Sequence, residues 1–109
     1  MSEPTLTQIF GPNATQDATT ITLHKADYSP TGFIPASSNT AESILGGILA
    51  FSQPTLTATN QASNTDQSIV VTDSNDNIVT RSSVQYRRKT KILSFDKVDN
   101  GSAFNPSDY

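Results

Sequence analysis

The residues able to do chemistry are few, and most of the cationic ones lie in one stretch. Six of the seven Lys and Arg residues fall between Arg81 and Lys97. Residues Val84–Val98 contain no Pro or Gly and alternate in character, which predicts one long β-strand. Val84, Tyr86, Thr90 and Ile92 then share one face, while Gln85, Arg87, Lys89 and Lys91 share the other. Leu93 and Phe95 break this phase, so a bulge near Ile92–Leu93, or burial of both faces there, is expected. A face carrying Arg87, Lys89 and Lys91 could contact phosphates or the acidic surface of a partner. It could equally be a solvated face, or a charged guard on an edge strand. Only Tyr86 supplies an aromatic ring among the cations, thin support for base stacking.

The other chemically suggestive residues form weaker patterns. Asp73, Asn75 and Asn77 match the first, third and fifth positions of a calcium-binding loop. However, Ile78 replaces the required Gly and Val84 the bidentate Glu. The segment therefore reads as a polar turn whose Asn and Asp residues tolerate tight backbone angles. His24 is the only histidine, and it stands in a strand-like run with no ligand or triad partner by spacing. There is no cysteine, which excludes disulfides, thiolate metal sites and cysteine nucleophiles. Gly46-Gly47 lacks the Lys and Ser/Thr neighbours of a phosphate loop, and the ten carboxylates are scattered. No catalytic constellation, cofactor site or metal site is expected, so the chain does not read as an enzyme.

The elements that must carry these residues are short. Residues 1–17 read as an N-terminal arm: Pro4 and Gly11-Pro12 interrupt regular structure, and Leu6, Ile9 and Phe10 offer apolar attachment points. Thr19–Lys25 alternates as a strand with Ile21 and Leu23 inward, and Asp27–Ser38 reads as a loop pinned by Phe33 and Ile34. One helix is expected, capped by Asn39 with Glu42 completing the box. Its stripe is Ala41, Ile44, Leu45, Ile48 and Phe51, and Pro54 ends it. Gly46-Gly47 inside that helix costs about 1 kcal/mol each relative to Ala unless close packing requires them. A low-complexity loop follows Thr55, with a short edge strand around Leu56 as an option. Ser68–Thr72, a turn at Asp73–Asn77, and Ile78–Thr80 complete a hairpin that runs into the long strand. Asn100-Gly101 breaks that strand. Residues 100–109 form a tail with Phe104 and Tyr109 as anchors.

This order predicts a single α+β domain over residues 18–99, between two extended arms. Its centre is an antiparallel sheet of three or four strands with one helix across a face. At 109 residues and 34% hydrophobic content, only part of the chain can pack, which makes contact with partner subunits an attractive source of stability. The net charge of −3 argues against a generic nucleic-acid binder. Met1-Ser2-Glu3-Pro4 shows neither the basic nor the apolar region of a secretory signal, and no apolar run reaches membrane-spanning length. Asn13-Ala14-Thr15 and Asn100-Gly101-Ser102 then read as turns rather than glycosylation sites.

In composition and layout, the chain resembles small accessory virion proteins of tailed bacteriophages, such as capsid cement (decoration) proteins. The shared features are a small Thr/Ser/Asn-rich core, no Cys or Trp, and two apolar-punctuated arms. The resemblance implies a homo-oligomer, often a trimer or dimer, that docks on a major capsid protein. It also implies a place in the virion after assembly in the host cytoplasm. A tail or head–tail joining component has the same layout. On either reading, contacts to the partner would come from Arg87, Lys89 and Lys91 of the basic strand and from Phe10, Phe104 and Tyr109 of the arms. The alternative is a nucleic-acid-binding module using Arg81, Arg87, Arg88, Lys89 and Lys91.

Overall fold

The computed structural model describes residues 2–109. The chain is α+β, with short helices packed beside small antiparallel sheets. Helix α1 (Leu6–Phe10) lies inside the segment expected to be an irregular arm. A reciprocal cap explains it. The Thr5 hydroxyl accepts from the Gln8 backbone N–H, and Gln8 Oε1 accepts from the Thr5 N–H at 2.8 Å. Strands β1 (Thr15–Gln16) and β2 (Ile21–Thr22) make a minimal hairpin closed by Asp17, whose Oδ1 accepts from the backbone N–H of Thr19 and of Thr20. Those bonds, Thr19 first, hold the Asp17 carboxyl below its ordinary pKa. The expected strand over Thr19–Lys25 is thus reduced to two residues, and Ile21 is exposed rather than inward.

The expected loop after it supplies the centre of the core. Lys25–Thr31 forms a 3₁₀ helix that turns Tyr28 inward until only 1% of it is exposed. Its ring meets Phe33 and Phe51 edge-on, at centroid distances of 6.2 and 5.7 Å. Its hydroxyl donates to the Phe10 carbonyl at 2.6 Å, tying the N-terminal arm to the core. Burial, with Asp27 adjacent, raises the pKa of that hydroxyl. Phe33 is buried as expected, but Ile34 points outward. Gly11 makes this junction sterically feasible: its φ is +114°, and a Cβ there would sit 2.6 Å from Asp27 Oδ2.

Helix α2 (Ala41–Ser52) forms where the apolar spacing predicts it. Thr40 is the cap, accepting from the Ser43 N–H. Asn39 instead bridges the Ala36 N–H and the Ile34 carbonyl of the preceding loop. The helix packs through Gly47 and Ser52, with Leu45 left exposed. A second helix, α3 (Ala58–Ser63), occupies the expected low-complexity loop and is capped by Thr57. The buried Gln67 amide donates to the Thr57 and Ile69 carbonyls, securing the chain between α3 and the next strand.

The remaining strands are β3 (Ile69–Asp73), β4 (Asn77–Arg81), β5 (Val84–Arg88) and β6 (Lys91–Phe95). β3 pairs only with β6, and β4 only with β5. The expected sheet of three or four strands under one helix is therefore not what forms. Instead, one hairpin spans Ile69–Phe95. Its reversal lies at Ser82-Ser83 and not at Asp73–Asn77. Both serines have positive φ, 50° and 65°, the signature of a two-residue turn whose twist matches the strands. At Asp73–Asn77 the chain continues outward. Residues 74–76 on one strand face 89–90 on the other, so one extra residue makes a bulge there. That irregularity interrupts the expected long strand at Lys89-Thr90, not at Ile92–Leu93.

The base of this ribbon is built into the body. Val70 and Val71 are both buried, and the Val71 N–H donates to the Leu56 carbonyl at 2.9 Å along the outer edge of β3. Beyond the bulge the ribbon has little but itself for contact. The radius of gyration, 16.2 Å, exceeds the roughly 13 Å of a rounded domain of this length, and the longest dimension is 47 Å.

Candidate protein interface

The outer ribbon consists of β4, β5 and their turn. Antiparallel register puts Val79 opposite Tyr86 and Arg81 opposite Val84 on one face, with Ile78 opposite Arg87 on the other. Ile78, Val84 and Tyr86 remain 54, 51 and 40% exposed. Folding this segment alone thus leaves its large apolar side chains substantially in water. Residues 77–88 contain Arg81, Arg87 and Arg88 and no acid. Arg81 lies over the Tyr86 ring with its guanidinium carbon 4.3 Å from the centroid. Among the described residues, none of these three arginines forms an ion pair.

The two lysines expected beside Arg87 are employed differently. Lys89 pairs with Asp76 at 2.7 Å, and Lys91 pairs with Asp73 at 2.8 Å. Lys91 also donates to Gln53, the residue that closes α2, and so ties the bulge to the body. The bond from Lys91, with help from Gln53, keeps the Asp73 carboxyl below its ordinary pKa. These exposed pairs fix the direction in which the ribbon leaves the body while adding little stability. Of the expected trio Arg87, Lys89 and Lys91, the two lysines are thus neutralised locally. Arg81 and Arg88 join Arg87 on the ribbon instead.

The three aromatic candidates from the arms do come together. Phe10, Phe104 and Tyr109 line one apolar cavity of about 400 Å³, whose floor is Ile69 and Phe95, the basal pair of the ribbon. Phe95, Phe104 and Tyr109 form a ring cluster with centroids 5.1 to 5.6 Å apart. Lys97 holds the tail in place through Asp108 at 2.7 Å and Ser102 at 2.7 Å, and Asn105 caps the 3₁₀ turn Pro106–Asp108. The N-terminal side is fastened by Asn64, which donates to the Ser2 carbonyl. Both arms thus fold back on their own chain. Glu3 is the charged residue in the cavity lining.

The sequence did not single out Ile78, Val84 and the exposed side of Tyr86, because it placed their runs in a sheet of three or four strands rather than on an isolated ribbon. The signal was two alternating runs separated by the pair Ser82-Ser83, which lacks the Asn or Gly that normally marks such a turn. Among the described residues no three His, Asp or Glu side chains gather as a metal site, and no helix is long and apolar enough to cross a membrane. No family model matches the chain, and no curated protein or solved structure is similar to it.

Proposed function

We propose that this protein is a non-enzymatic structural component that works by burying its outer ribbon against a neighbouring subunit of a larger assembly. The observation that carries this reading is the ribbon itself: apolar Ile78, Val84 and Tyr86 displayed on a two-stranded projection. Such a hairpin is marginal in water alone, and a subunit that covers it would add stability by mass action. The compositional likeness to accessory virion proteins makes a capsid cement role the particular form of this proposal. A tail or head–tail joining component would use the ribbon in the same way. A photo-crosslinking residue at position 86, introduced in the native assembly, tests the proposal. The expected result is a single covalent adduct to one protein identified by mass spectrometry, absent when the label is at the exposed body residue Thr19. Equal, diffuse labelling from both positions overturns it.

The three unpaired arginines favour a second reading, insertion of the ribbon into the major groove of a duplex, which is wide enough to admit one. Three phosphate contacts would make log affinity fall with log salt at a slope of about −3. No binding to DNA or RNA at low salt ends that reading.

A further inference from the structure

The ribbon and the two-arm cavity are complementary surfaces at opposite ends of one element. We infer that they bind each other between copies: the ribbon tip of one chain seats on the cavity of the next. This deepens the proposed function and rests on it, since it names the neighbouring subunit as a second copy.

Geometry excludes closure within one chain. Ile69 and Phe95 form the base of the ribbon and the floor of the cavity, whereas Ser82-Ser83 forms the tip. Thirteen residues separate Ile69 from Ser82, or roughly 40 Å at about 3.3 Å per strand residue. That is close to the 47 Å length of the whole molecule. A tip that covers this cavity must belong to another copy.

Chemistry selects the same arrangement. The ribbon puts apolar Val84 and Tyr86 on one face with Arg81 and Arg88, has Arg87 on the other, and carries no acid. The rest of the chain holds four lysines against ten carboxylates. Three of those lysines already neutralise Asp73, Asp76 and Asp108. An aromatic-walled cavity with Glu3 in its lining offers both an apolar seat and a counter-charge to such a tip. The symmetric alternative, ribbon against ribbon, places Arg81 and Arg88 against their own copies and is disfavoured by repulsion. The contact thus joins two different surfaces, and made reciprocally it closes a two-fold dimer. Made in one direction only, it closes into a ring or runs on as a filament.

The test is complementation between two crippled variants, followed by light scattering across a concentration series. Val84→Ser/Tyr86→Ser spoils the tip and leaves the cavity intact. Phe104→Lys spoils the cavity and sets a cation against the incoming arginines. Thermal melting confirms that each folds, and Tyr109→Lys replaces Phe104→Lys if that variant does not. The wild type is expected to gain mass with concentration, and each variant to associate at least about tenfold more weakly. An equimolar mixture is expected to recover a dimer that grows no further, because only one intact contact remains. Loss of association in the tip variant but not in the cavity variant overturns the assigned seat while leaving the ribbon as an interaction element. A mixture that stays monomeric also overturns it, since the one intact tip and the one intact cavity then fail to meet. A wild type that is monomeric throughout overturns self-association, with crosslinking at position 86 still deciding whether the ribbon meets another protein. A small apolar molecule retained in native mass spectra, with mass independent of concentration, assigns the cavity to that ligand instead.

Discussion

Tyr28 and Tyr86 are the same residue put to opposite uses. Tyr28 is closed in by Phe33 and Phe51, its hydroxyl is spent on the Phe10 carbonyl, and 1% of it remains exposed. Tyr86 stands on the ribbon at 40% exposure, with the Arg81 guanidinium over its ring and no hydrogen bond to hold it. Around Tyr28 the chain has used its few large apolar residues to make a small core. On the ribbon it has left others outside, at a place where neighbouring strands of its own cannot reach them. The difference separates the part of the molecule that keeps it folded from the part available to something else.

The sharpest way to break this comparison is to truncate both rings. Tyr28→Ala is expected to cost about 3–5 kcal/mol, a large share of the stability of a domain this size. Tyr86→Ser is expected to stay within about 0.5 kcal/mol, as surface substitutions do. Denaturant midpoints measure both. Similar losses would mean that the ribbon belongs to the core.

A smaller pair of effects sharpens the packing side. A Cβ at position 47 would lie 3.3 Å from Phe33 Cδ1, whereas one at position 46 meets nothing within 4 Å. Gly47→Val should therefore destabilise by about 1–3 kcal/mol through overpacking. Gly46→Ala should stabilise by about 1 kcal/mol through helix propensity alone. Opposite shifts in melting temperature are the expected outcome. A last effect, of the same size as that at Gly46, concerns the ribbon turn. Replacing Ser82-Ser83 with Asn-Gly relieves two positive-φ residues and should stabilise the ribbon by about 1 kcal/mol. Hydrogen exchange should slow at the amides of β4 and β5 and stay unchanged around Tyr28. Slowing throughout the chain would show that ribbon and body open as one unit.

How far the molecule could be read in advance depended on the range of the interaction. Helix α2 is legible because caps and apolar spacing act within a few residues, and even the error of one residue at its cap is instructive. Thr40 and Asn39 can both accept from the first turn, and Asn39 is drawn away by Ala36 and Ile34 of the preceding loop. The strands within Ile69–Phe95 are likewise legible from alternation. Their pairing is not. Asp73–Asn77 has the composition of a reversal and Ser82-Ser83 does not, yet the ladder from Arg81 opposite Val84 to Asn77 opposite Arg88 requires the turn at the serines. Tyr28 was hidden because Pro30 and Gly32 give its segment the look of a loop, and its partners Phe10 and Phe51 are far away in sequence.

The sequence by itself determined where helix α2 forms, the alternating runs, the confinement of cations to one stretch, and the absence of thiol chemistry. Each of these is a property of residue type or of spacing shorter than a turn or two. Only the tertiary structure decided that Lys89 and Lys91 are consumed by Asp76 and Asp73 while, among the described residues, Arg81, Arg87 and Arg88 form no ion pair. It also decided that Phe10, Phe104 and Tyr109 share one cavity. Those outcomes rest on strand register and on contacts between chain ends about a hundred residues apart. Charge pairing and burial depend on which side chains are brought within a few ångströms, and spacing along the chain carries no record of that.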